Sequence, residues 1–252
     1  MEYRYETEQR SYEDYASGRV LLNAQGTTAF PVRLASEIYQ QGKAYLAGKG
    51  RTGGLTLYDP CCGGAHLLTS IGIRHGGDLS RIIGTDIDQR VLEVARRNLS
   101  MVNADGMMQR LAQLRELAQA YDKASHKEAV VSAERLLTLI EQRGHVIEVQ
   151  CDGYDTVSPT SSSEMLDKLN GKVDFVFTDV PYGDIVQWSE AEDGDNVDPI
   201  AKMLGNLVPR LAPISVIAIV ADKKQKVEHP AYRRLKKLKV GKRQVVFLEL
   251  EA

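Results

Sequence analysis

The chain is predicted to fold as an α/β protein with a doubly wound, Rossmann-like, mainly parallel sheet. Three observations predict it. Short apolar runs alternate with helix-length segments, the first three runs each end at or beside an aspartate, and the longest helical stretch falls between the second and third runs. Such alternation buries a parallel sheet beneath helices on both faces.

Phe30 to Tyr45 reads as a helix entered through Pro31, with Leu34, Ile38 and Tyr45 on one face. Gly48, Gly50, Gly53 and Gly54 mark a turn before the strand Leu55 to Tyr58, which ends at Asp59. A glycine-bearing loop leads to an apolar run, Leu67 to Ile71, that suits a helix. Ile82 to Thr85 is the second strand, ending at Asp86, and Val91, Leu92, Ala95 and Leu99 then recur at helical spacing. Residues 103–144 carry two apolar stripes separated at Asp122 to Ser125, the pattern of an inserted helical hairpin. Val146 to Val149 is the third strand, ending near Cys151 and Asp152, and Ser161 to Glu164 reads as a capping box opening a short helix. Val173 to Phe177 is the fourth strand, Asp198-Pro199 starts a further helix, Ile214 to Val220 is the fifth strand, and Val245 to Leu250 the last. Residues 1–252 are expected to form one domain, with an N-terminal substrate-side extension over 1–54.

Composition narrows the function classes. With 43% hydrophobic and 26% charged residues the chain has enough apolar material for a core and is unlike a disordered protein. The net charge of −2 gives no global attraction for nucleic acid, so any RNA surface has to be local. The longest apolar run is far short of the ~20 residues that span a bilayer, and the polar start carries no secretory signal. Three cysteines, Cys61, Cys62 and Cys151, lack metal-ligand spacing and suit reduced thiols. A cytoplasmic, metal-free protein, acting as a monomer, is expected.

In open α/β sheets ligands bind beyond the carboxyl ends of the strands. There the sequence places Asp59, the loop Pro60-Cys61-Cys62-Gly63-Gly64-Ala65, Asp86 and Asp152. Glycines let a ligand approach the backbone, and an acid about twenty residues on can accept hydrogen bonds from ribose hydroxyls. Asp88 competes with Asp86 for that role, and Asp152 reads equally as an ordinary strand-end acid. The loop lacks the G-x-G-x-x-G spacing of a dinucleotide site. A nucleoside with a short charged tail fits better, and S-adenosylmethionine is such a ligand: Asp59, Cys61, Gly63 and Gly64 would face its tail, Asp86 or Asp88 its ribose, and Asp152 its adenine.

After the fourth strand comes Thr178-Asp179-Val180-Pro181-Tyr182-Gly183. Asp179 and the Val180 carbonyl, fixed by Pro181, can accept hydrogen bonds from an exocyclic amine, while Tyr182 stacks on the base. Those bonds would draw the amine out of conjugation and aim its lone pair at a sulfonium methyl, so that positioning and electrostatics carry the step.

These segments resemble the class I methyltransferases that modify amino groups of RNA bases. More narrowly, Phe30 to Ile38, Asp59 to Gly63 and Thr178 to Gly183 are similar to the avilamycin-resistance rRNA methyltransferase family, and Ala16 to Leu21 adds to the match. The resemblance implies the class I methyltransferase fold and methylation of a guanine in large-subunit ribosomal RNA at its N2 amine, with antibiotic resistance as the associated phenotype. The family's loop usually continues Gly-Ser-Gly, whereas this chain has Gly63-Gly64-Ala65-His66, and alanine there is expected to narrow the pocket.

A basic run from Lys223 to Arg243 includes Lys223, Lys224, Arg233, Arg234, Lys236 and Lys237 and could track the phosphates of ribosomal RNA or the large subunit. Arg19 and Arg33 are further candidates for RNA, and Trp188 for a second stacking surface. The competing functions are amino methylation of DNA, another RNA or a protein glutamine, and a catalytically silent protein that binds RNA.

Overall fold

The computed structural model describes residues 2–158, 171–181 and 198–251. Among these residues seven strands form one sheet: β1 (Leu55–Asp59), β2 (Leu79–Asp86), β3 (Glu148–Gly153), β4 (Val173–Asp179), β5 (Leu211–Asp222), β6 (Tyr232–Val240) and β7 (Arg243–Leu250). Their spatial order is β3-β2-β1-β4-β5-β7-β6. The first five are parallel, and β7 runs antiparallel between β5 and β6. The order reverses between β1 and β4, where an open sheet of this kind leaves a crevice for ligands.

One face of the sheet packs against α1 (Val32–Gly48), α2 (His66–His75) and α3 (Gln89–Ser100), through a core that includes Leu34, Ile38, Leu57, Leu68, Leu99, Phe175 and Phe177. The other face is covered by α6 (Pro199–Leu207), whose Ile200, Met203 and Leu204 pack on Val176, Ile217 and Ile219. Asp198 starts α6 as its cap, accepting the Ile200 N–H at 2.8 Å, with Pro199 in the first turn. The predicted hairpin is α4 (Ala104–Tyr121) and α5 (Ala124–Arg143), reversed at Asp122 in a left-handed conformation (φ 47°). Met107, Leu111 and Leu136 pack there against Tyr15, Val20 and Leu21 of the N-terminal extension. No helix among the described residues is long and apolar enough to cross a membrane.

Two expectations need correction. The third strand starts at Glu148 rather than Val146, which is 78% exposed. The basic run contains a strand, β6, that charge had concealed: Tyr232 is buried, Leu235, Leu238 and Val240 pack on the core, and a bulge between Arg234 and Lys236 breaks strict alternation. Ser161 to Glu164 lies outside the described residues.

The N-terminal extension is held from below by α1. Glu37, fully buried, accepts the backbone N–H groups of Arg4, Tyr5 and Glu6 at 2.8–2.9 Å. Burial works to raise its pKa, but these donors and Gln41 outweigh it and leave the carboxyl below its ordinary value. Arg33 binds the carbonyls of Glu6 and Thr7 and stacks on Tyr3, its Cζ 4.1 Å from the ring centroid.

Candidate functional site

The carboxyl ends of β1, β2 and β4 bring Asp59, Asp86 and Asp179 to the switch point. Asp59 is 2% exposed and accepts the Cys61 N–H at 3.0 Å. Burial, reinforced by the negative charges of Asp86 and Asp179, pushes its carboxyl up to about 7. Asp86 accepts the Gly63 N–H at 2.8 Å through Oδ2 and the Asp88 N–H at 2.9 Å through Oδ1, and burial raises its pKa as well. The loop after β1 is thus stitched to the end of β2, and Cys62 N–H donating to the Thr85 carbonyl at 2.9 Å adds a second stitch.

Glycine is needed in that loop for two reasons. Gly63 sits at φ +52°, and a Cβ on Gly64 would lie 2.8 Å from Cβ of Ala24 in the extension. Ala65 also adopts a left-handed backbone (φ 57°), which costs an L-residue roughly 1 kcal/mol. Its methyl is fully buried in the core beside α2, so it does not project into the crevice as the sequence suggested. Asn98, which sequence reasoning missed, ties these pieces together. Its amide donates to the carbonyls of Gly64 at 2.7 Å and Leu22 at 3.0 Å, and its oxygen accepts the Leu22 N–H at 2.8 Å.

Asp88 and Asp86 separate clearly. Asp88 caps α3 by accepting the Arg90 N–H and is bound by the Arg90 guanidinium, whereas Asp86 lies against the glycine loop. Asp152 ends up next to Thr85 at the tip of β3, its Oδ2 accepting from Gln150 Nε2 at 2.8 Å. Ile87, also missed, is 51% exposed immediately after Asp86 and offers an apolar face there.

At the end of β4, the Val180 N–H donates to the Val220 carbonyl at 3.0 Å, and the Pro181 carbonyl accepts from Gln225 Nε2 at 3.0 Å. Buried Gln244 in turn fixes the turn after β5, donating to the Asp222 carbonyl at 2.8 Å and to the Gln225 carbonyl at 2.6 Å. Arg243 lies 3.8 Å from Asp179. The sequence does not single out Gln225 or Gln244 and counts Arg243 only in the basic run; Gln225 follows the carboxyl end of β5, whereas the antiparallel return of β7 brings Arg243 and Gln244 to this end of the sheet. Tyr182, Gly183 and Trp188 fall outside the described residues.

The expected RNA contacts are redistributed. Arg19 pairs with Glu13 and Glu128, and Arg33 clamps the extension, so both guanidinium groups are engaged inside the protein. Arg233 binds Glu249, with Nε at 3.0 Å, and Lys236 binds Gln41. Arg233 and Arg234 sit where β6 begins, opposite Glu249 and Leu248, which is roughly 15–20 Å along the strand from Arg243 at the carboxyl end. Lys237 lies further along β6 toward that end, and exposed Lys223 and Lys224 are beside it. Lysines on an edge strand also discourage unwanted strand pairing, which suffices to explain much of β6.

The crevice fits S-adenosylmethionine. Asp59, pushed up by burial and by the negative charges of Asp86 and Asp179, sits in an anionic pocket, and a ligand carrying sulfonium and ammonium charges offsets it. Among the described residues no cluster of His, Cys, Asp and Glu is arranged to hold a metal. A separate cleft at the opposite end of the sheet, lined by Lys49, Ser215, Arg233 and Glu249, has its charges paired internally.

Comparison with known proteins agrees with this geometry. The family model described as rRNA methyltransferase AviRa matches residues 1–243. The chain is 35% identical over 246 residues to a Streptomyces viridochromogenes protein named 23S rRNA (guanine(2535)-N(1))-methyltransferase, covering 98% of this chain and 95% of that one. It superposes on a solved structure of the rRNA methyltransferase AviRa from that organism with a TM-score of 0.86 at 34% identity, over 98% of this chain and 96% of the other. TrmN from Thermus thermophilus, 13% identical, shares the fold (TM-score 0.51), with 90% of this chain and 51% of that chain covered. The fold is that of the class I methyltransferases, its cofactor is S-adenosylmethionine, and the chain belongs to the AviRa family of rRNA methyltransferases.

Proposed function

We propose that the protein methylates N1 of a guanine in large-subunit ribosomal RNA. The observation that carries this reading is the placement of Asp179. It stands at the carboxyl end of β4, close enough to Asp59 to raise its pKa, with the following backbone fixed by Val220 and Gln225. The AviRa relative is named for guanine N1, which supports the ring nitrogen over the exocyclic N2 amine expected from the motif. The two atoms are neighbouring donors on one base edge, so Asp179 and the Val180 carbonyl can engage both. They differ in chemistry. An exocyclic amine can lose its proton after transfer, whereas ring N1 carries a proton that has to leave as the new bond forms, and a carboxylate at Asp179 supplies a base for it.

S-adenosylmethionine supplies an electrophilic methyl group on a sulfonium. Asp86 is proposed to hold its ribose hydroxyls, Ile87 and the Asp152 tip to flank its adenine, and Asp59 with the Cys61–Gly64 backbone to face its ammonium tail. Tyr182 is proposed to stack on the base. An unstacked loop nucleotide is the favoured target, because flipping a paired base costs a few kcal/mol. RNA phosphates are proposed to meet Lys223, Lys224 and Lys237 beside the crevice.

The test is to incubate the protein with labelled cofactor and ribosomal RNA from a strain lacking the gene, then map the product. An N1 methyl blocks Watson–Crick pairing and stops primer extension, whereas a single N2 methyl does not. A labelled guanine without a stop would return the target to N2, and no transfer alongside retained RNA binding would favour a silent RNA-binding protein.

A further inference from the structure

Arg243 opens β7 at the carboxyl end of the sheet, paired with Asp222 of β5 on one side and Val240 of β6 on the other. Its Nη1 lies 3.8 Å from Asp179 Oδ2, and its Cζ is 5.5 Å from the ring centroid of Phe30. Phe30 itself packs edge-on against Phe177, with ring centroids 5.9 Å apart. The guanidinium is therefore supported on an aromatic face, with three quarters of its side chain covered, next to the carboxylate proposed to act on the base.

A cation and an anion side by side match one base edge in particular. Guanine presents O6 as an acceptor beside N1–H and N2–H as donors. Adenine reverses the first two, with an amino donor at C6 and an acceptor at N1. A guanidinium beside a carboxylate meets guanine with every group complementary, and meets adenine with donor facing donor and acceptor facing acceptor. Sites built on such pairing reject the mismatched partner because buried polar groups are left without partners.

We infer that Arg243 recognises O6 of the target guanine, selecting the base and holding the negative charge that N1 deprotonation spreads onto that oxygen. The assignment rests on the guanine-N1 reading above. In the step it assists, the N1–H bond breaks and the proton passes to Asp179. The N1 electron pair forms the bond to the methyl carbon, and the carbon–sulfur bond breaks with its pair remaining on sulfur, which becomes a neutral thioether. A donor aimed at developing oxyanion charge belongs to the interactions that act mainly in the transition state.

The experiment compares the wild type with Arg243→Ala and Arg243→Lys on unmethylated ribosomal RNA, measuring kcat, cofactor affinity and pH dependence. Arg243→Ala is expected to lower kcat roughly 100-fold with cofactor affinity within about twofold, and added guanidinium ion is expected to restore part of the loss. Its rate should also climb more steeply toward alkaline pH, since N1 then deprotonates without the cation's help. Arg243→Lys, which keeps the charge over Phe30, is expected to fall between the two. A kcat for Arg243→Ala within about threefold of wild type overturns the assignment, as does a loss shared with cofactor binding and unmoved by guanidinium. If the wild type itself places its methyl on a base other than guanine, the functional reading falls first and the role of Arg243 with it.

Discussion

The two ends of the sheet treat buried acids in opposite ways. At the carboxyl end, Asp59 is enclosed near two other carboxylates, and its pKa is pushed up to about 7. At the amino end, Glu249 is also buried, yet Lys49, Tyr45 and Arg233 all donate to it, and they hold its pKa at about 2 against the effect of burial. Glu249 is a fastener whose charge is satisfied by the protein. Asp59 instead faces two carboxylates of like charge, a repulsion that a cationic ligand would offset, and a carboxyl perturbed in that way marks a site better than burial alone.

The largest expected effect of breaking this contrast is at Asp179. Asp179→Ala should lower the methyl-transfer rate by about 100-fold or more, in the range for loss of a general base, with cofactor affinity measured by calorimetry largely unchanged. Equal loss of both would make Asp179 structural. At the other end, Glu249→Gln should cost about 1 kcal/mol in urea unfolding at pH 7, discounted because Lys49 and Arg233 are largely exposed, and should leave cofactor binding alone. A carboxyl depressed in the folded state stabilises above its unfolded pKa of about 4.3 and loses that contribution as pH falls toward about 2. The gap between wild type and variant should therefore close between about pH 5 and pH 2.

Asp59 has the opposite sign. Its folded pKa of about 7 lies above the unfolded value of about 3.9, so its contribution to stability is complete below pH 4 and is lost as pH rises through 7. A cationic cofactor should pull it toward the ionised form. Calorimetry near pH 7 in buffers of different ionisation enthalpy is expected to detect release of about half a proton on binding. Binding with no proton released would separate Asp59 from the ligand's charge.

The grouping of the candidate carboxylates at one end of the sheet was legible because its signals are local. Asp59, Asp86 and Asp179 stand directly after apolar runs, the loop glycines follow the first of them, and Asp198-Pro199 announces α6. What escaped depends on distant parts of the chain. Arg243 reaches Asp179 only because β7 runs back beside β5, and no short-range pattern encodes that return. Arg19 and Arg33 read as surface cations because their partners, Glu128 and the carbonyls of Glu6 and Thr7, are remote in sequence. β6 was concealed by its lysines, since the side of an edge strand away from the core carries charge and its bulge shifts the apolar positions off a period of two.

The carboxylate of Glu37 beneath the first residues divides evolutionary freedom unevenly. It grips main-chain amides, which almost any amino acid at positions 4 and 5 would provide, so Arg4 and Tyr5 can drift without loosening the grip. The acceptor has no such latitude, for a shorter side chain at 37 would strand three amides at once and glutamine would turn its NH₂ on at least one of them. Selection on this stretch is thus expected to act on a helix residue some thirty positions downstream rather than on the residues it secures.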